Sequence, residues 1–170
     1  MNDVDIRLDD LQGEAIKALL LLHLDAMHQH SPPESVHALD VEALRHPSIT
    51  FWTACAHGEL LGCGALKRLS HEHGELKSMR TADAHLRKGV ARGLLRHIES
   101  AARAEGIRRL SLETGSTAPF AAALRLYASE GFVTCGPFAD YALDPFSVFM
   151  TKLLADQAHH AERRHHADHQ

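Results

Sequence analysis

The stretch from Leu86 to Leu95 holds residues whose types and spacing could bind an anion. Arg87, Lys88 and Gly89 run directly into an apolar helical pattern, with Val90, Ala91 and Arg92 in its first turn. The first N–H groups of a helix have no intrahelical partner and carry the positive end of the helix dipole. Glycine lets a ligand approach that backbone closely, and arginine and lysine add charge. Arg87, Lys88, Gly89, Val90, Ala91 and Arg92 therefore read as a cradle for a diphosphate.

The charge distribution agrees. Residues 1–48 hold nine acids against three Lys/Arg, whereas residues 77–109 hold nine Lys/Arg against three acids. The net charge is −4, so the basic centre surrounding the loop is a local feature. A solvated helix face is the alternative for most of these arginines. Cys55, Cys63 and Cys135 are an odd number without zinc-type spacing, and read as free thiols in a reducing compartment.

The elements that position the loop follow from periodicity. Val4–Leu8 alternates as a strand, and Ile16, Leu19, Leu20, His23, Leu24 and Met27 recur at helical spacing over Glu14–Met27. Asp40 is placed to cap a short helix over 40–45. Three strands follow, at Ile49–Ala56, Leu60–Leu69 and Glu75–Thr81, with a hairpin turn at His57-Gly58-Glu59. Gly62 and Gly64 inside the second suggest a bulge or close packing. The helix after Gly89 puts Val90, Leu94, Ile98, Ala101 and Ala102 on one face, and Arg92, Arg96, Glu99 and Arg103 on the other. Strand Arg108–Thr114, helix Pro119–Glu130 and strands Phe132–Cys135 and Ser147–Leu154 complete the order β-α-α-β-β-β-α-β-α-β-β. A mixed α/β sheet is expected, antiparallel in its first half, with a βαβ crossover that places the anion site at a helix start. Residues 1–155 read as one domain, and the histidine-rich tail 156–170 as a flexible end.

Over residues 4–154 this chain resembles the GNAT superfamily of N-acetyltransferases. Leu86-Arg87-Lys88-Gly89-Val90-Ala91 resembles the family loop Q/R-x-x-G-x-G/A. The segment Ala123 to Phe132 is similar to A-x-x-L-Y-x-x-x-G-F, and Glu75–Thr81 is the strand immediately before the loop. The stretches Gly74–Thr81, Arg108–Ser116 and Cys135–Tyr141 also resemble bacterial stand-alone members. The resemblance implies a GNAT-like mixed, mostly antiparallel central sheet flanked by helices. It also implies acetyl-CoA as co-substrate, without a metal. Two positions depart from the family pattern. Leu86 stands where the loop begins with Gln or Arg, which leaves Arg87 to supply that contact, and Phe120 stands where many members carry Asn.

By the same resemblance, backbone groups of Met79, Arg80 and Thr81 would hold the pantetheine arm, and the Arg87–Arg92 loop the diphosphate. Glu75 is the favoured general base, with Glu113 on the next strand as the alternative. Tyr127 is the candidate acid for the leaving thiolate, and packing of its ring between helix and sheet is the other reading. Phe138, Asp140, Tyr141 and Asp144 offer a wall for the acceptor, and Arg80 and Lys67 could meet a carboxylate on it.

The expected function is acetyl transfer from acetyl-CoA to a primary amine of a small molecule or amino acid. A non-catalytic acyl-CoA-binding or sensing module is the alternative. A nucleic-acid partner is not expected, because Phe120 and Tyr127 alone flank the basic region and no aromatic run offers a stacking platform. A membrane partner is not expected either: the most apolar run, Ala18–Leu24, is too short to span a bilayer. The acidic N-terminus argues against a signal peptide, which makes the cytoplasm the expected location. The resemblance also allows a homodimer.

Overall fold

The computed structural model describes residues 3–155. The histidine-rich tail, 156–170, lies outside the described residues. Seven strands form one sheet: β1 (Asp5–Leu8), β2 (Ile49–Ala56), β3 (Glu59–Arg68), β4 (His73–Thr81), β5 (Arg109–Gly115), β6 (Val133–Cys135) and β7 (Ser147–Leu153). Their order across the sheet is β1-β2-β3-β4-β5-β7-β6. Every neighbouring pair is antiparallel except β4 and β5, which are parallel. The helices are α1 (Glu14–His30), α2 (Val41–Leu44), α3 (Val90–Ala104) and α4 (Ala121–Ser129). This is the expected element order and the expected mixed sheet.

Local chemistry explains the main boundaries. The Asp40 carboxylate accepts the Ala43 N–H at 2.8 Å and starts α2. His57 (φ 51°) and Gly58 (φ 76°) both take left-handed backbone, as the two-residue hairpin between β2 and β3 requires. Helix α3 stops before Gly106, which supplies a φ of 83° just past its end.

Each sheet face has its own core. Ile16, Leu19 and Leu20 of α1 and Leu44 of α2 pack with Phe51, Cys63 and Ala65 on one face. Leu94, Leu95, Ile98 and Ala102 of α3 pack on the other, with Trp52, Leu110, Leu112, Tyr127 and Phe132. One residue expected on the solvent face of α3 lies inside. Glu99 is buried, and both its carboxylate oxygens accept from the Lys152 ammonium of β7 at 3.0 Å. An ion pair from across the sheet makes that burial tolerable.

Two features of β4 shape what lies beside it. Its pairing with β5 covers only His73–Glu75 against Arg109–Ser111. Beyond that point β4 continues to Thr81 and β5 to Gly115, and the two strands part. The second feature is a bulge. Cys63 of β3 faces Arg80 and Ala65 faces Lys77, so Gly64 alone stands opposite Ser78 and Met79. Ser78 takes a φ of 55° to make this turn. Gly64 makes room there: a Cβ at this position would lie 2.5 Å from the Met79 sulfur and 2.9 Å from Ile98 Cδ1, so both side chains would have to shift.

Candidate active site

The parting of β4 from β5 opens a cavity of about 830 Å³, with β4 as one wall, β5 as the other, α1 above and the start of α3 at one end. The facing edges of Leu76–Thr81 and Leu112–Gly115 do not pair with each other. Their N–H and C=O groups are therefore available to an extended ligand laid between them, as an added strand would be.

At the α3 end, Arg87 (φ 64°) and Gly89 (φ 82°) both adopt left-handed backbone. No side chain caps the helix. The first intrahelical bond runs from the Gly93 N–H to the Gly89 carbonyl at 3.0 Å. The N–H groups of Val90, Ala91 and Arg92 precede it and have no partner within the helix. Arg87, Gly89, Val90, Ala91 and Arg92 all line the cavity, as do Met79, Arg80 and Thr81. Lys88 does not; its ammonium lies 3.3 Å from His85 Nδ1. The Arg92 guanidinium is engaged by Glu130 at 2.7 Å and by the Ser129 hydroxyl at 3.2 Å, so what Arg92 offers the cavity is its backbone. Leu86 is 54% exposed at the rim.

Glu75, Glu113 and Tyr127, separated by up to 52 residues in the chain (127 − 75), line this same cavity. Glu75 is buried at the point where the strands part. Its Oε2 accepts from the Tyr141 hydroxyl at 2.5 Å and from the Lys77 ammonium at 3.1 Å, and Lys77 also donates to the Tyr141 oxygen at 3.0 Å. Glu75 Oε1 has no protein partner among the described residues. Glu113 accepts from the Ser147 hydroxyl at 2.7 Å. Burial raises its carboxyl above the ordinary range, partly offset by that hydrogen bond. Tyr127 is buried, with its ring edge-on to Phe132 at 5.7 Å. Burial raises its phenol further above the usual value, so the group stays protonated.

The expected acceptor wall does not line the cavity: Phe138, Asp140, Tyr141 and Asp144 all lie outside its lining, and Tyr141 is linked to it only through its hydrogen bond to Glu75. Phe138, Tyr141 and Phe149 form an aromatic cluster with centroids 5.0 to 6.0 Å apart, and His37 meets the Tyr141 ring at 4.9 Å. Asp144 accepts from the Ser35 hydroxyl at 2.5 Å and the Phe146 N–H at 2.8 Å, which tie down the loop. Asp140 is exposed and, like Lys67, does not line the cavity. Phe120 is buried against Gly115, where a Cβ would sit 2.1 Å from the ring.

Sequence reasoning missed Lys77, whose side chain is 8% exposed. The available signal was its position two residues from Glu75, on the same strand face. It missed His23 as a cavity residue and read it only as part of an apolar helix stripe. Burial, and secondarily the Arg80 charge, lowers the His23 imidazole to about 4, so it is neutral at neutral pH.

Comparison with known proteins gives the class. Residues 16–132 match the acetyltransferase (GNAT) family. The chain is 58% identical over 149 residues to the uncharacterized N-acetyltransferase YsnE of Bacillus subtilis (strain 168), covering 88% of this chain and 99% of that protein. Among solved structures, a candidate acyl-CoA N-acyltransferase from Klebsiella pneumoniae subsp. pneumoniae MGH 78578 superposes with a TM-score of 0.73 at 28% identity, over 89% of this chain and 98% of the other. A GNAT family acetyltransferase from Elizabethkingia anophelis, solved with acetyl-CoA bound, shares the fold at a TM-score of 0.64 and 18% identity, over 91% of this chain and 100% of the other. This chain belongs to the GNAT acetyltransferase family, and is an acyltransferase enzyme. No helix among the described residues is long and apolar enough to cross a membrane.

Proposed function

We propose that this enzyme moves the acetyl group of acetyl-CoA to a primary amine of a small molecule or amino acid, by direct attack within a ternary complex. One observation carries the reading: a single cavity joins an unpaired helix start, two unpaired strand edges, two carboxylates and one protonated phenol. The helix start suits a diphosphate, and the strand edges suit an amide-bearing arm. That the fold accommodates acetyl-CoA is supported by the acetyl-CoA complex of the Elizabethkingia protein.

In this reading the N–H groups of Val90, Ala91 and Arg92 hold the diphosphate, with Gly89 permitting close approach and Arg87 and Lys88 adding charge. Backbone groups of Met79, Arg80 and Thr81 hold the arm, and an N–H at the bulge polarises the thioester carbonyl. Glu75 takes the proton of the attacking amine, directly or through water, with Oε2 anchored by Tyr141 and Lys77. Glu113 is the alternative base, and its raised carboxyl suits that work near neutral pH. The amine nitrogen bonds to the carbonyl carbon, the carbon–sulfur bond breaks, and Tyr127 gives its proton to the sulfur. A phenol kept protonated by burial suits a proton donor.

The test is coenzyme A release by the full chain with acetyl-CoA and a panel of amino acids, polyamines and simple amines, with products identified by mass. The reading expects N-acetylated product from a small amine. Turnover only on a protein N-terminus or protein lysine would overturn it.

A further inference from the structure

The face of β4 turned toward α1 carries unused donors. Lys77 and Arg80 stand opposite Ala65 and Cys63 of β3, and both of those belong to the core under α1. Cross-strand partners point to the same side of a sheet. The bulge at Ser78 and Met79 thus resets the alternation and puts Arg80, with Lys77, on the α1 side. The Lys77 charge is met by Glu75 at 3.1 Å. Among the described residues, the Arg80 guanidinium has only an Asp83 oxygen at 3.6 Å, on a side chain that is 79% exposed.

Three buried polar atoms on residues lining the cavity have no hydrogen-bond partner among the described residues: His23 Nδ1, Ser78 Oγ and Arg80 Nε. His23 and Ser78 are 7% and 9% exposed. A buried donor left unpaired is costly, and three around one cavity call for an acceptor that the described residues do not supply. All three can donate: Arg80 through Nε–H, Ser78 through its hydroxyl, and a neutral His23 through Nδ1–H in that tautomer. His23 of α1 and Arg80 of β4 line the same cavity, and after burial the Arg80 charge is the second cause that lowers the His23 imidazole. A group with several lone pairs and a negative charge matches this set.

We propose that His23, Ser78 and Arg80 form a subsite for a carboxylate of the acceptor, which makes amino acids, and not simple amines, the acceptor class. The proposal rests on the acetyltransferase reading above. It gives Arg80 two compatible parts, its backbone beside the acetyl donor and its side chain on the acceptor. The carboxylate docks on the α1 side of β4 while the amine reaches toward Glu75, which lines the same cavity.

Two measurements on the full chain test it. The first compares L-amino acids with their carboxamides as acceptors at saturating acetyl-CoA. The free acids should be favoured by about tenfold or more in kcat/KM, as expected for charge-assisted hydrogen bonds. Arg80→Gln should erase that preference through the acceptor KM. Equal use of acids and carboxamides by the wild type, or an Arg80→Gln loss carried entirely by the KM for acetyl-CoA, would overturn the subsite. The second needs no turnover. Isovalerate is added to protein carrying isotope-labelled histidine, and the His23 ring resonance, assigned by its loss in His23→Gln, is followed by NMR. It should move with isovalerate, not with 3-methylbutan-1-ol, and should stay still in Arg80→Gln. No movement in the wild type means the donors face only water and refutes the subsite. Movement without turnover of any amine supports the subsite and refutes the acetyltransferase reading instead.

Discussion

Replacing Lys77 with methionine tests whether the Glu75 carboxylate is held by a buried charge pair. The two side chains are 8% and 3% exposed, with 3.1 Å between charged atoms. At that distance and an effective dielectric of about 20, unit charges attract by about 5 kcal/mol. Much of that attraction offsets the desolvation of the two groups, so the pair as a whole adds little to stability. Removing one partner is different, because Glu75 is then left buried with the Tyr141 hydroxyl alone. Lys77→Met should cost about 3–5 kcal/mol at pH 7, read by urea unfolding. The double variant Glu75→Gln/Lys77→Met keeps an acceptor for Tyr141 and removes both charges. It should return to within about 1.5 kcal/mol of the wild type. A Lys77→Met cost below about 1 kcal/mol, the level of a surface pair, would show that the two groups do not share a buried environment. A double variant as unstable as the sum of the singles would refute the coupling between them.

Other perturbations follow from the same geometry. Glu113 has its carboxyl raised chiefly by burial, so its contribution to stability is full below the ordinary value of 4.5 and is lost as pH rises through the folded value. Glu113→Gln should match the wild type in Tm below pH 4.5 and exceed it at neutral pH; an unchanged difference across that range counts against the burial argument. His23 is shifted the other way, from 6.5 to about 4, so the wild type should lose about 3 kcal/mol as pH falls through that window. His23→Leu should flatten that part of the stability profile, and a profile that keeps its slope refutes the assignment. Gly115→Ala would bring a Cβ within 2.1 Å of the Phe120 ring and should cost about 1–3 kcal/mol by thermal unfolding. Phe120→Leu in the same chain should recover most of that loss, and strict additivity of the two changes would contradict the contact.

The fold was legible because its signals are local. Alternation over Ile49–Ala56, the His57-Gly58 turn, the Asp40 cap and Gly106 each specify backbone within a few residues, and the structure places elements where they predict. The Arg87–Arg92 loop was legible for the same reason, since a glycine ahead of an apolar helical stripe fixes where unpaired N–H groups point. The bulge was less so. Gly62 and Gly64 hinted at one, yet the left-handed residue is Ser78 on the neighbouring strand, and no local rule puts serine there. Long-range partners were out of reach. Tyr141 meets Glu75 across 66 positions, and Lys152 meets Glu99 across 53. Neither pairing follows without knowing that β7 inserts between β5 and β6. The fate of the Arg92 side chain was equally hidden: its guanidinium is spent on Glu130 and Ser129, which only the packing of α3 beside α4 reveals.

The most direct test of the central claim is a comparison of wild type with Tyr127→Phe in acetyl-CoA affinity and in turnover. The substitution removes one oxygen from a buried ring and leaves its packing on Phe132 intact. With Tyr127 as the proton donor, kcat should fall by about 10²–10⁴-fold while the Kd for acetyl-CoA, measured by calorimetry, stays within about twofold. An unchanged kcat, or a loss explained wholly by weaker acetyl-CoA binding, would contradict the account.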